Sequence, residues 1–410
     1  MQPLPTPVPA GISLSHLGRA PHRLMFFVGA SNLLLAMAWW ALWLVSMRWP
    51  QLAMPIPSVY AGWLHAFVMQ YLVLPSFIFG FLLTVFPRWM GLPELSRWQY
   101  LPVGLGLIGG QLAILLGAFG LPHAIAVGML LAVMGWSVGL WRLGRLLLAE
   151  KGRTWHARSC MAALLFGYVG VLAFAGFVLG GSATWVLPSF KLGTFGLLLP
   201  IYVTVAHRMF PFFAGNVVPG YVSWRPLWWL ATFWGFIVLH LLLELSHLPQ
   251  WLWLADLPLL VLAVMALWHW WPRGPMPGLL RVLFVGLAWF PVALALYVLQ
   301  SVCTLIDGQV PLGRAPAHAL FIGLFGSLLV AMVTRVTQGH SGRPLQMTPV
   351  AWFAFIAVQV VAVMRVVAEI APDSAAWQAL SAVAWLVAFS PWVARIGHIY
   401  LTPRRDGRPG

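Results

Sequence analysis

Residues 62–91 read GWLHAFVMQYLVLPSFIFGFLLTVFPRWMG, and the first charged side chain in the run is Arg88. A helix needs about 20 apolar residues to cross the hydrocarbon core of a bilayer, and this stretch is long enough. One residue does not suit lipid: the imidazole of His65. An intramembrane polar side chain faces a partner inside the protein or marks a site. The fold question and the function question therefore start at the same residue.

Working outward, the whole chain shares the character of this run. Of 410 residues, 61% are hydrophobic and 8% are charged. A soluble domain carries roughly 25% charged residues, so the chain cannot cover itself with polar surface and is expected to be an integral membrane protein. The 25 Trp and 25 Phe suit interfacial belts and close packing around a flat ligand. The net charge of +15 would suggest nucleic acid in a soluble protein. In a membrane protein it marks cytoplasmic loops, and no nucleic-acid partner is expected. Cys160 and Cys303 form neither a metal-binding spacing nor a framework of bridges.

Runs of sufficient length, broken by Pro, Gly and charge, fall near 24–46, 60–86, 100–119, 122–149, 157–180 and 185–206. A second set follows near 227–248, 250–271, 279–303, 314–336, 349–370 and 375–400. The expected fold is all-α: a polytopic bundle of about 12 spans over 24–401, with tails at 1–23 and 402–410. With this layout, 19 of the 23 Lys and Arg fall on the side of the termini. Only Arg48, Arg314 and Arg365 fall on the other side, and Lys191 lies within a span. The positive-inside rule then puts both tails in the cytoplasm, as expected of a protein of the bacterial inner membrane.

Topology converts the 12 histidines into depths. His65 and His318 lie about one turn inside the same face, on the second and tenth spans. Two imidazoles at one depth on different helices suit the axial positions of a haem; they equally suit helix-end histidines bonded to carbonyls. Arg314, four residues before His318, lies on the same helix face one turn nearer the surface. It could meet a haem propionate or act as an interfacial anchor. A second group gathers at the opposite face: His22 with Arg23, His207 with Arg208 as the sixth span ends, and His340 between Arg335 and Arg343. These could supply metal ligands or an anion pocket, with His207 and His340 expected close together; they also satisfy the positive-inside rule unaided. Lys191, Glu244, Arg365 and Glu369 are polar groups within spans, and no helix carries a ladder of carboxylates.

At these residues the sequence resembles the NnrS family, haem- and copper-containing polytopic membrane proteins of the bacterial response to nitric oxide. The resemblance rests on PHRLMFFVGASNLLLA, LHAF…GFLLTVFPRWMG, LLPIYVTVAHRMFPFF and AHALFIGLFGSLLVAMVTRVTQGHSGRPL. It implies a haem, expected to be b-type, at His65 and His318, with His22, His207 and His340 as further metal candidates. The family usually reads W-H-A-H-E in the second span. Here the run is Leu64, His65, Ala66, Phe67, Val68, which puts the copper in doubt. The layout also resembles the catalytic subunit of haem–copper oxidases, but His240 on the seventh span has no histidine neighbour, so an oxygen-reducing terminal oxidase is not supported.

Three functions follow. The first is a haem protein acting in nitric oxide metabolism or nitrosative-stress tolerance, with nitric oxide or another small molecule as ligand; whether it turns that ligand over is not written in the sequence. The second is a transporter for an anion or a metal, using Lys191 and the His/Arg group. The third is a structural or assembly factor. If haem binds, Phe67, Met69, Gly323 and Gly326 are expected to make room for the porphyrin.

Overall fold

The computed structural model describes residues 11–407. Residues 1–10 and 408–410, part of the expected tails, lie outside the described residues. Among those described there are twelve helices long and apolar enough to cross a membrane. They are α1 (Pro21–Arg48), α2 (Ala61–Met90), α3 (Arg97–Ala118), α4 (Pro122–Ala149), α5 (Trp155–Val178) and α6 (Ala183–Gly215). Then come α7 (Leu227–Leu245), α8 (Trp253–Trp270), α9 (Gly278–Asp307), α10 (Ala315–His340), α11 (Pro349–Val367) and α12 (Ser374–Tyr400). This is the all-helical multi-pass membrane protein that the apolar runs imply. An even number of spans puts both chain ends on one face, called here the terminal face; the other is the far face.

Local signals explain the boundaries. Proline opens α1, α4 and α11, where its missing N–H costs nothing. Ser96 and Gln99 form a reciprocal capping box before α3. Gly91 and Gly308 take left-handed backbone after α2 and α9. Two ends differ from the sequence expectation. α6 continues past residue 206 to Gly215, with Pro211 inside it, so His207 and Arg208 lie within the helix and not at its end. α10 continues to His340. Intramembrane packing, not local propensity, carries these helices on.

α12 packs against α1, α4 against α5 and α8 against α9, so the same joint recurs every four helices. The second helix of each group of four lies innermost. In the most apolar windows of α2, α6 and α10, 83%, 72% and 72% of residues are buried, against 39% in α4, α5, α7, α8 and α11. These three central helices share a further feature. Each contains a widened, π-helical stretch: Met69–Val73, Leu192–Leu198 and Ala319–Gly326. Such stretches concentrate at functional sites, because the extra residue re-aims side chains.

The described segments that flank the bundle pack against it. Within the expected N-terminal tail, Leu14–Arg19 forms a short 3-10 helix capped by Ser13, and His16 is buried beneath it. Arg23, read above beside a candidate pocket, has a structural role. Its Nη2 donates to the carbonyls of Ile399 (3.3 Å), Tyr400 (2.7 Å) and Thr402, closing the C-terminus of α12 onto α1. Charge-assisted bonds at a helix C-terminus complement both the unpaired carbonyls and the helix dipole. Arg23→Ala is expected to lower stability by about 2–3 kcal/mol, read as an earlier unfolding transition of the purified protein; an unchanged transition would mean that water replaces the guanidinium.

Candidate functional site

In the far half of the bundle, α1, α2, α6, α9, α10, α11 and α12 enclose a cavity of about 380 Å³. That lies within the range of roughly 300–1,000 Å³ typical of small-molecule and cofactor sites. All three π-helical stretches contribute to its wall, through Met69 and Gln70, Thr194 and Phe195, and Phe321, Ile322 and Gly326. Trp40, Trp385 and Phe389 supply large apolar faces, and His65, His318, Arg314, Arg365 and Lys191 bring the polar chemistry. His65 and His318, expected at one depth, thus line one cavity from different helices.

The geometry of His318 fixes what it presents. Its Nδ1 lies 2.9 Å from the carbonyl of Arg314. A carbonyl has no proton to give, so Nδ1–H is the donor, and in a neutral imidazole Nε2 then carries a lone pair. A ring oriented through one nitrogen, with the other free, is the arrangement of a metal-ligating histidine. His65 is held differently. Its ring stacks on Trp40, with centroids 4.3 Å apart and planes 10° from parallel. Its Nδ1 is buried with no hydrogen-bond partner, an arrangement that costs roughly 1–3 kcal/mol when nothing compensates it.

Beside His318 the cavity is rimmed by charge. Arg365 Nη1 donates to Glu369 Oε1 at 2.6 Å, four residues on and just past the end of α11. Glu369 Oε2 accepts from the backbone N–H of Arg314 at 3.2 Å, and the Arg314 guanidinium lies 3.6 Å from Oε1. Glu369 therefore braces the residue whose carbonyl orients His318. Gly313, with φ +48°, makes this approach possible, since a Cβ there would lie 2.6 Å from Glu369 Oε2. Two guanidiniums share one carboxylate, so this rim keeps net positive charge and suits an anionic group on a ligand.

Sequence reading put His65 and His318 at one depth and missed much of their setting. Trp40 gave no signal as a partner of His65, because it is one tryptophan among 25. Glu369 could have been found, standing four residues after Arg365 as an i,i+4 pair. The expected porphyrin neighbours divide. Met69 and Gly326 line the cavity. Phe67 instead stacks on Phe174 at 4.6 Å, and Gly323 accommodates Trp289, whose Cδ2 would lie 2.4 Å from an added Cβ. The π-helical stretch around Gly323 turns it away from the cavity.

At the terminal face the expected meeting of His207 and His340 does not occur. His340 packs on His22, with ring centroids 4.4 Å apart. His207 hydrogen-bonds His156, Nδ1 to Nε2 at 2.9 Å, and its own Nε2 donates to the Pro226 carbonyl at 3.2 Å. The physical reason is that His207 lies inside α6, where it faces α5 and α7. The neighbouring arginines face aromatic rings: Arg208 lies 4.4 Å over Trp89 and Arg335 3.9 Å over Phe213. Among the described residues no three His, Cys, Asp or Glu side chains converge as a metal-binding group. The donors here come in pairs, His22 with His340 and His156 with His207.

A twelve-helix bundle with a histidine-lined, arginine-rimmed cavity in its far half defines a polytopic membrane protein with an internal cavity. The sequence matches the family model described as NnrS protein over residues 16–404, and the chain belongs to that family. No curated protein matches it.

Proposed function

We propose that the cavity holds a haem between His65 and His318, in a protein that acts in nitric oxide metabolism or nitrosative-stress tolerance. The observation that carries this reading is the His318 hydrogen bond: it leaves Nε2 as a lone pair at the wall of a cavity that also contains His65, with its unpartnered nitrogen. Family membership supports the assignment to nitric oxide. When bound, the haem would supply an iron centre able to exchange an electron and to bind a small diatomic ligand. The protein's own contributions are separate. His318 and His65 hold and orient the group, and Arg314 and Arg365 face its carboxylates. Trp40, Trp385 and Phe389 exclude water from its faces.

Transport of an anion through the same cavity has less behind it. Lys191 Nζ is paired with Glu244 Oε1 at 2.6 Å, so its charge is already balanced. The optical spectrum of the purified protein decides between the two. A Soret band near one haem per chain is expected; a colourless, metal-free preparation would sink the haem reading.

We place the protein in the bacterial inner membrane with both termini cytoplasmic, because 19 of 23 basic residues fall on the terminal side. Alkaline phosphatase fused after Gly410 is expected to be inactive, and high activity would invert the orientation.

A further inference from the structure

Behind one wall of the cavity lies a chain of four ionisable groups from three helices. Lys191 on α6 reaches the cavity and pairs with Glu244 on α7 at 2.6 Å. Glu244 Oε1 lies 3.7 Å from Nε2 of His240, one turn back on α7. His240 Nδ1 lies 2.7 Å from Oδ1 of Asp256 on α8. His240 and Asp256 are 0% exposed and Glu244 10%. The other titratable side chain facing the imidazole is Tyr297 of α9, edge-on with centroids 6.0 Å apart. Phe195 stacks on His240 at 3.6 Å and its other surroundings include the cavity, so His240 stands one ring's thickness from the cavity space.

The charges constrain where protons sit. Asp256 accepts from Nδ1–H, which leaves Nε2 facing a carboxylate oxygen with no hydrogen bond formed. If Nε2 carried a lone pair, two electron-rich atoms would confront each other in a dry interior. With a proton there, an imidazolium lies between two carboxylates, and the chain has two cations and two anions. Uncompensated buried charge costs several kcal/mol, so the chain is neutral in itself with that proton in place. One positive charge entering the cavity shifts the balance, and the Nε2 proton is the one whose departure restores it.

We propose that His240, set between Glu244 and Asp256, is a proton-loading site coupled to the charge in the cavity. When a one-electron acceptor oxidises a group held at His65 and His318, that electron leaves the cavity for the acceptor, and the His240 Nε2 proton leaves by way of Glu244 to the far aqueous face. Reduction by a one-electron donor returns one proton to Nε2. Electron and proton thus move together and the region stays neutral. His240 touches neither histidine ligand and acts through the field; it is a positioning group for charge. The coupling rests on the haem reading above, while the resting protonation of His240 does not.

Two measurements test it. In the cofactor-free protein labelled with 15N-histidine, solid-state NMR in bilayers is expected to show a doubly protonated ring that disappears in His240→Gln and reverts to a neutral ring in Asp256→Asn. A neutral His240 in the unsubstituted protein overturns the proposal. In the haem-loaded protein, reduction by dithionite in weak buffer with an indicator dye is expected to take up about one proton per electron. Glu244→Gln and Asp256→Asn each leave Lys191 balanced by one remaining carboxylate with His240 neutral, so uptake should fall at least about fivefold while the Soret band is kept. Uptake at the unsubstituted level in both variants assigns the proton elsewhere and overturns the coupling. A protein that binds no haem fails the earlier reading and the coupling together, and the NMR result still decides where the proton sits.

Discussion

Replacing His318 by alanine is expected to strip the protein of its Soret band while the bundle still inserts and folds. The side chain is partly buried at the cavity wall and its Nδ1 bond is to the carbonyl of Arg314 just before it in sequence, so no distant contact depends on it. What is lost is the one ring nitrogen whose tautomer the backbone has already set. Removing a group that merely orients a metal ligand costs roughly 10–100-fold in affinity, so losing the ligand itself should weaken haem binding by more than about 100-fold. His65→Ala should act in the same direction with a different by-product. Trp40 loses the ring stacked on it, so some loss of stability accompanies the loss of haem. Added imidazole should restore the band in the His318 variant, because the cavity left behind admits the ring. Arg314→Ala removes a charge from the rim and leaves the backbone carbonyl in place, so it should shift the spectrum or potential mildly. If both histidine variants keep the full band, the ligands are elsewhere.

The fold was legible because hydrocarbon imposes one length on every span. Residues 62–91 could be nothing but a crossing, and the basic residues around the other spans ordered them into an even number. The depth match of His65 and His318 followed from that count. What could not be read is rotation about each helix axis. The π-helical stretches in α2, α6 and α10 change that rotation midway. For this reason Gly326 reaches the cavity while Gly323, three residues earlier, faces Trp289. The failed pairing of His207 with His340 has a related cause: both are near the terminal face, but α6 turns His207 toward His156. Contacts between helices were also out of reach where no single helix holds a pattern. Lys191, Glu244 and Asp256 come from α6, α7 and α8, and each is isolated in its own segment. A search for carboxylates along one helix finds nothing, although the chain they build is continuous with the cavity wall.

The hairpin of α3 and α4 is where a small change should do the most structural harm. A Cβ at Gly106 would lie 2.6 Å from Gly135 Cα, 2.8 Å from Gly135 N and 2.9 Å from the Leu131 carbonyl. A Cβ at Gly128 would lie 2.7 Å from the Gly110 carbonyl. All of these neighbours are backbone, which cannot turn aside as a side chain can. Between helices in lipid, such close approach is itself the source of attraction, since van der Waals packing replaces the hydrophobic effect there. Gly106→Val is therefore expected to push the two helices apart and to cost about 3 kcal/mol. Gly109→Ala is the control: its Cβ meets only the end of Leu131, at 3.4 Å, and its stability should be unchanged or slightly raised. The damage should also reach the site. Trp136, one residue after Gly135, donates its Nε1–H to the carbonyl of Tyr71 at 2.8 Å, inside the π-helical stretch of α2. Moving α4 loosens that bond one to two turns from His65, so Gly106→Val should weaken haem retention as well as lower the unfolding temperature. A variant that unfolds early yet retains haem as tightly as the unsubstituted protein would separate the hairpin from the cavity and refute the link.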